Sequence, residues 1–277
     1  MAALFGMGLL MLRCSCIRQI DRLSLPALKG LEQIRSFVIV YSKVPLFQLQ
    51  PFDLVILEGD LYSREEIVSL RLQHKIVLAY LNIGEVETYR PYADQIPPKW
   101  LIGPNPDWPD HYFINPTEKG WRKLLKHEVI PPLLDKGVQG FLLDSVDLAS
   151  SGRYPKFKRA MVQLIRWLHQ CCPETYLILN NGQFLLDKVA NQVHGLLIEE
   201  VFTVVDEDGQ YHSRSVNEQF ALLNRIRAIK ERWNIPIFVV DYFPTNDSLN
   251  CKEIQQISRR YGFIYYLTTQ HAERIYH

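Results

Sequence analysis

The chain has 277 residues, enough for one large domain or two small ones. Hydrophobic residues make up 47% and charged residues 22%, which is typical of a globular protein and excludes a disordered or fibrous one. With 31 basic and 30 acidic residues the net charge is +1, so the charge gives no reason to expect a nucleic acid or an anionic membrane as partner. The five cysteines form no C-x-x-C pair, which excludes a zinc ribbon or a thioredoxin-like redox site.

The N-terminal segment contains an apolar stretch at positions 2–12, far shorter than the roughly 20 residues that a membrane span requires. Its length suits the core of an export signal, but no basic residue precedes it and no clean cleavage site follows. For residues 1–30, a degraded or mis-started export signal and an ordinary helix therefore both stay open. The main domain is predicted over residues 31–277.

From Phe37 onward, short apolar runs alternate with longer segments of mixed charge. The eight runs occupy positions 37–41, 54–58, 76–80, 140–144, 176–180, 195–199, 237–241 and 263–267. Continuous rather than alternating apolar runs are typical of parallel strands covered on both faces. Amphipathic segments that start near Ser63, Lys156 and Ser215 predict helices between them. Eight such units predict a single (β/α)8 barrel, and no glycine-rich nucleotide-binding turn favours an open doubly wound sheet instead.

The connection after the third run is unusually long. From Gly84 to about Phe113 it holds six prolines and five Tyr or Trp residues, so helix and strand are both disfavoured there. Long irregular loops inside compact domains are usually lids or binding loops. Because it follows a barrel strand, this loop lies on the face where barrel active sites occur. Trp100 and Trp108, set among its prolines, are predicted to bind a substrate.

A barrel brings the last residues of its strands around one mouth. Here those residues are acids, amides and phenols, with no His and no Lys: Tyr41, Glu58, Asp60, Tyr80, Asn82, Asp144, Asp147, Asn180, Asn181, Glu199, Glu200 and Asp241. A single polar residue at a strand end often only caps the next helix. A whole ring of acids is harder to explain in that way, because packed like charges raise one another's pKa and reduce stability.

Two acids of this ring, Asp144 and Glu199, share one register. Each is the fifth residue of a run that opens with Gly, on the fourth and sixth strands. Alternate strands contribute side chains to the same layer, so the two carboxyls are predicted to face each other across the mouth. Paired carboxylates cleave glycosidic bonds, with retention at a separation of about 5–5.5 Å and inversion at about 6.5–9.5 Å. From the residues alone, a structural or substrate-binding role stays open, as does a metal site.

Four blocks of the sequence follow one another in the order of a known family. They are Tyr80-Leu-Asn-Ile-Gly-Glu85 with Val86-Glu-Thr-Tyr-Arg90, Gly140-Phe-Leu-Leu-Asp144-Ser-Val-Asp147, Asn181-Gly182, and Ile198-Glu199-Glu200-Val201-Phe202. In these blocks the chain resembles glycoside hydrolase family 114, the endo-α-1,4-polygalactosaminidase-like (β/α)8 barrels. The resemblance runs from about residue 37 to residue 275, so it covers nearly the whole predicted barrel.

The resemblance implies cleavage of an α-linked, galactosamine-containing polysaccharide without a cofactor, with Asp144 as nucleophile and Glu199 as acid/base. Glu200 stands where the family commonly has a small residue, so the acid/base is open between the two glutamates, and the shared register favours Glu199. An acid-lined mouth would attract the cationic amino groups of galactosamine. The remaining ring residues are predicted to bind the substrate, together with Glu85 and Tyr242.

Several properties stay open at this point. A non-catalytic carbohydrate-binding barrel and a metal-assisted hydrolase of the same fold are the alternative functions. Endo or exo action and the oligomeric state are not determined by the sequence. The resemblance favours a secreted or cell-envelope location, although the N-terminal signal is weak.

Overall fold

The computed structural model describes residues 30–150, 155–206, 208–243, 251–272 and 275. The predicted export signal or helix of the N-terminal segment therefore lies outside the described residues, except for Gly30. Along the described residues the chain forms an alternating series of strands and helices that begins shortly after this point.

The strands, in chain order, are β1 (Phe37–Val40), β2 (Leu54–Leu57), β3 (Ile76–Asn82), β4 (Glu85–Glu87), β5 (Leu101–Pro104), β6 (His111–Ile114), β7 (Gly140–Asp144), β8 (Tyr176–Asn180), β9 (Gly195–Glu199), β10 (Thr203–Val205), β11 (Tyr211–Ser213), β12 (Ile237–Tyr242) and β13 (Ile264–Thr268). Eight of them form one parallel sheet in the order β1-β2-β3-β7-β8-β9-β12-β13. These eight correspond one to one to the predicted runs, so the predicted barrel is confirmed.

The sheet curls into a nearly closed barrel because its outer strands approach each other. Phe37 on β1 packs its ring 5.6 Å from that of Tyr266 on β13, and the Tyr41 amide donates to the Ala272 carbonyl. The strand residues are almost all buried, as continuous apolar runs require. Gly140 opens β7 because a Cβ there would lie 2.0 Å from the Tyr176 carbonyl oxygen of the neighbouring strand.

The helices pack around this barrel. They are α1 (Arg64–Leu72), α2 (Lys119–Leu124), α3 (Ile130–Lys136), α4 (Pro155–Cys171), α5 (Leu186–Val189), α6 (Val216–Trp233) and α7 (Cys251–Tyr261), with a π-helical turn at Leu125–Val129. Ser63 and Ser215, where helix starts are predicted, each form a capping box with the glutamate three residues later. No helix in the described ranges combines the length and the apolar character that crossing a membrane demands.

The long connection after β3 is not irregular, so the prediction that strand is disfavoured there was wrong. β4, β6 and β5 form an antiparallel sheet in this order, here called the rim sheet (residues 85–114). The prolines are compatible with it because they lie between the strands or at the end of β5, an edge strand whose register shifts between Leu101 and Gly103. The rim sheet gives this connection a fixed geometry beside the mouth.

Candidate active site

Three neighbouring strands place a connected set of polar groups in the mouth. The Asn180 Nδ2 at the end of β8 donates to Asp144 Oδ1 at 2.7 Å and to Glu199 Oε1 at 2.9 Å. Because both bonds share one nitrogen, the two accepting oxygens are no more than about 5.6 Å apart, the two bonds laid end to end. The carboxyls that share a register in the sequence thus face each other across a single amide.

The backbone turns sharply after each of these three residues. Ser145, Asn181 and Glu200 all have left-handed conformations, with φ of 55°, 47° and 57°. Residues other than glycine adopt this conformation rarely and at some conformational cost. Asn181 uses its Oδ1 to accept from the Glu199 amide, which fixes the end of β9.

The same turn separates the two adjacent glutamates. Glu199 lies in the mouth beside Asn180, whereas the Glu200 Oε1 accepts from the Val205 amide at 2.9 Å. Glu200 also lies 3.9 Å from Arg214, so its carboxylate anchors the β10–β11 hairpin. Only Glu199 of the pair therefore shares a donor with Asp144.

Phenols complete the hydrogen bonding of both acids. The Tyr80 hydroxyl donates to Asp144 Oδ2 at 2.7 Å and itself accepts from Asn82 Nδ2 at 3.1 Å. The Tyr242 hydroxyl bonds the Glu199 carboxylate. Tyr41 stands between them, with its ring 5.1 Å from that of Tyr80 in an edge-on contact. Both carboxyls are thus oriented by neutral donors.

Burial and neighbouring charges shift the pKa values of these groups. Burial, followed by the charge of Asp144, raises the pKa of Glu199 to about 7, although hydrogen bonds from Asn180 and Tyr242 oppose the shift. Burial also raises the pKa of the phenols Tyr80 and Tyr242 well above the ordinary value, so both stay neutral. A carboxyl that keeps its proton near neutral pH beside a second carboxyl is suited to general acid catalysis.

Asp147, predicted to bind substrate, lies exposed on the turn after β7. Desolvation on its protein-facing side and the charge of Asp144 both raise its pKa. It is therefore electrostatically linked to the two mouth acids, without a direct contact to Glu199 among the hydrogen bonds of the described residues.

A second cluster, here called the Arg90 lock, holds the start of the rim sheet against β2. The Arg90 guanidinium makes two 2.7 Å bonds to both oxygens of Glu58, two 3.1 Å bonds to Glu87 and one 3.0 Å bond to Asp60. Arg90, Glu58 and Glu87 are largely or fully buried, whereas Asp60 is exposed. Both oxygens of Glu58, predicted to bind substrate, are thus occupied within the protein.

A third cluster lies on the rim sheet itself. Glu85 accepts from Asn105 Nδ2 at 3.0 Å and contacts His111 Nδ1 at 3.1 Å. Burial alone lowers the pKa of His111, but the bond to Glu85 and the charges of Glu87, Glu85 and Asp144 outweigh it and raise the pKa above the ordinary value. Gly84 anchors this cluster beside Asp144, because a Cβ there would lie 2.0 Å from the Ser145 carbonyl oxygen.

Two residues predicted to bind substrate lie away from the mouth. Asp241 is fully buried, and its Oδ1 accepts from the amides of Phe202 and Thr203 and from the Thr203 hydroxyl. Burial raises its pKa to about 6. Trp100 packs its indole on α2, where a Cβ at Gly120 would lie 2.0 Å from the ring. Trp108, in contrast, contacts His111 and His271 at the rim.

The sequence analysis missed Arg90, Glu87 and His111 as site residues. The polar–apolar–polar order of Glu85-Val-Glu87 is a strand signal, and an arginine three residues after a buried glutamate is a signal for an ion pair. The prolines of the same segment indicate a loop, and they outweigh both the strand signal and the ion-pair signal. Within the part of the chain that the structure describes, no three His, Cys, Asp or Glu side chains form a group that could hold a metal ion.

Comparison with known proteins places this geometry in context. The model of glycoside hydrolase family GH114 matches residues 29–276. An uncharacterized protein of Methanocaldococcus jannaschii is 30% identical over 211 residues, which cover 69% of this chain and 60% of that protein. The chain thus spans about three fifths of the length of this curated relative.

Two solved structures share the fold. The glycoside hydrolase domain of PelA from Pseudomonas aeruginosa matches with a TM-score of 0.77 at 22% identity, over 87% of this chain and 97% of that one. Ega3 from Aspergillus fumigatus, solved in complex with galactosamine, matches with a TM-score of 0.71 at 14% identity, over 91% of this chain and 96% of that one. At these identities the likeness establishes the common barrel fold.

Proposed function

The chain belongs to glycoside hydrolase family GH114, and from this premise we propose that it cleaves an α-linked, galactosamine-containing polysaccharide with retention of anomeric configuration. The observation that carries the proposal is the single Asn180 amide that bonds both Asp144 and Glu199. The resulting limit of about 5.6 Å applies to the two nearest oxygens, and it is compatible with the separation of about 5–5.5 Å between the carboxyl groups of retaining enzymes.

In the proposed reaction, Glu199 donates its proton to the glycosidic oxygen while Asp144 attacks the anomeric carbon. The bond to the leaving sugar breaks, and a covalent glycosyl-enzyme forms on Asp144. Glu199, now a carboxylate, takes a proton from water, which attacks the anomeric carbon and releases Asp144. The donors Asn180 and Tyr80 hold Asp144 in place, and Tyr242 orients Glu199. No cofactor takes part.

The proposed substrate class is supported by the charge of the mouth and by the structural similarity to Ega3. Asp144, Glu199 and Asp147 cluster at the mouth, and Glu85 lies next to them, so a polymer with cationic amino groups is attracted there. Ega3 was solved with galactosamine, which supports the same sugar for this chain.

A secreted or cell-envelope location is part of this proposal, and fractionation of cells that express the whole gene tests it.

A panel of defined saccharides tests the function. The wild-type protein is incubated with α-1,4-linked galactosamine oligosaccharides, their N-acetylated forms, and β-1,4-linked glucosamine oligosaccharides as the control of opposite linkage. We expect new reducing ends from the galactosamine series, detected by mass spectrometry, and an α anomer as first product, detected by NMR. No cleavage of any α-galactosaminide contradicts the activity, and an initial β anomer contradicts retention.

The pH profile tests the role of Glu199. Because the pKa of Glu199 is raised to about 7 and the acid must be protonated, we expect kcat/KM to fall about tenfold per pH unit above about pH 7. Asn180→Ala removes a bond that lowers this pKa, so its alkaline limb is expected to move to higher pH. Glu231→Gln, on the exposed face of α6, serves as the control that leaves the limb in place. An alkaline limb that does not move in Asn180→Ala argues against Glu199 as the acid.

A further inference from the structure

An unbroken row of aromatic side chains crosses the rim of the mouth. Tyr89 lies 6.3 Å from His111, His111 lies 6.1 Å from Trp108, and Trp108 lies 5.4 Å from His271, measured between ring centroids. We call these four residues the rim strip. It connects the rim sheet with the loop that follows β13, the last barrel strand. Three successive ring contacts make the strip longer than one sugar ring.

We propose that the rim strip is a sugar-binding surface that receives units of the same polymer beyond the pair of sugars at the cleavage point. The proposal rests on the proposed function and deepens it, since it makes recognition depend on the length of the saccharide. Sugar rings present apolar C–H faces that stack on aromatic rings, while their hydroxyls bond to polar ring edges such as imidazole nitrogens.

The exposure of Tyr89 is the feature that internal packing does not explain. Tyr89 is 65% exposed, although tyrosines are usually at least partly buried. The Arg90 guanidinium lies 5.4 Å from the ring centroid, and His111 approaches in an edge-on contact. Arg90 is itself held by Glu58 and Glu87, so Tyr89 is a supported ring with an open surface. A supported ring loses little conformational entropy when a ligand stacks on it.

Contacts within the protein connect the strip to the catalytic pair. His111, in the middle of the strip, contacts Glu85, which is buried at the start of the rim sheet. Glu85 follows Gly84, which packs directly on the Ser145 backbone next to Asp144. The charge of Asp144 contributes to the raised pKa of His111, which places the imidazole within electrostatic range of the proposed nucleophile. The strip therefore lies close enough to the two acids for us to expect that a sufficiently long saccharide bound at the mouth extends onto it.

Binding measurements on an inactive protein test the strip. In an Asp144→Asn background, calorimetry gives the Kd of an α-1,4-linked galactosamine hexasaccharide and of the disaccharide. We expect Tyr89→Ala to weaken hexasaccharide binding about three- to tenfold and disaccharide binding less than twofold. Tyr89→Phe is expected to keep the affinity, since the ring remains. Trp108→Ala, the second variant, is expected to act in the same direction as Tyr89→Ala.

Phe47→Ala is the matched control, because Phe47 is also 65% exposed but lies on the segment between β1 and β2. It is expected to bind both saccharides like the parent protein. If Tyr89→Ala weakens the binding of both saccharides equally, or weakens neither, the rim strip is not a sugar-binding surface. The wild type could cleave no galactosaminide while binding still depends on Tyr89 and on the length of the saccharide. That result supports the rim strip as a sugar-binding surface and contradicts the proposed cleavage.

Discussion

Replacement of Asp144 by Asn is expected to lower kcat by at least about 10⁴-fold, and replacement of Glu199 by Gln by about 10²–10⁴-fold. Asn at position 144 keeps the size of the side chain but has one accepting oxygen in place of the two that bond Asn180 and Tyr80, and it is no nucleophile. Gln at position 199 has no acidic proton for the leaving oxygen. Rates are measured on the α-galactosamine oligosaccharide that the wild type cleaves fastest.

The two roles are distinguished by the leaving group. With an aryl α-galactosaminide whose phenol leaves without protonation, Glu199→Gln is expected to form the glycosyl-enzyme at a nearly normal rate, whereas Asp144→Asn stays inactive. Glu200→Gln is the matched control, because the Glu200 carboxylate bonds the Val205 amide rather than Asn180. Near-normal turnover of both variants at 144 and 199 overturns the two-carboxylate mechanism.

Stability measurements test whether the loss of activity in these variants is due to unfolding. The folded-state pKa of Glu199 is about 7, above the ordinary 4.5, so the folded protein binds this proton more tightly than the unfolded chain. Its stability contribution therefore decreases as pH rises from about 4.5 to about 7 and stays low above that. Glu199→Gln removes this effect, and its Tm relative to wild type is expected to be higher at pH 8 than at pH 5.

The sequence predicts the barrel and the juxtaposition of Asp144 and Glu199 for one physical reason. A parallel strand buried on both faces leaves a continuous apolar run, and its polar end lies at the mouth. Asp144 and Glu199 end runs of equal length that both open with Gly, and in the structure both accept from the intervening Asn180. The juxtaposition follows from the periodicity of the strands alone.

The directions in which the other strand-end side chains point cannot be derived from an apolar run in the sequence. Tyr242 faces Glu199, and the preceding Asp241 points to the opposite side, where it holds Phe202 and Thr203. A shift of one residue in register exchanges the two faces of a strand. The register of β12 against β9 is set by pairing, and the run of apolar residues from 237 to 240 does not encode it.

The Arg90 lock could not be predicted from the sequence, for a different reason. Glu87 and Arg90 are three residues apart, but Glu58 precedes Arg90 by 32 positions and directly follows β2. A charge at a strand end has no local sequence feature that distinguishes a substrate contact from an internal ion pair. The sequence therefore predicts Glu58 as a substrate contact, and in the structure both of its oxygens bond Arg90.

Replacement of Arg90 by Met is expected to reduce the free energy of unfolding by about 3–5 kcal/mol, because Glu58 and Glu87 would remain buried without a compensating charge. The same change is expected to lower kcat, since the guanidinium lies 5.9 Å from the ring of Tyr80, whose hydroxyl holds Asp144. Arg90→Lys is expected to be intermediate, because an ammonium cannot form the paired bonds of a guanidinium. Urea denaturation at pH 7 measures the stability.

Two controls separate the loss of the buried ion pairs from the loss of any surface charge. Arg227→Met removes an exposed arginine that lies 3.7 Å from Glu231 on α6, and it is expected to change stability by less than about 1 kcal/mol. Arg90→Met combined with Glu58→Gln and Glu87→Gln leaves no buried carboxylate without a compensating charge, and it is expected to recover most of the lost stability. If Arg90→Met destabilises no more than Arg227→Met, the lock contributes nothing beyond an ordinary surface ion pair, and Tyr80 must be positioned by its own packing against Tyr41.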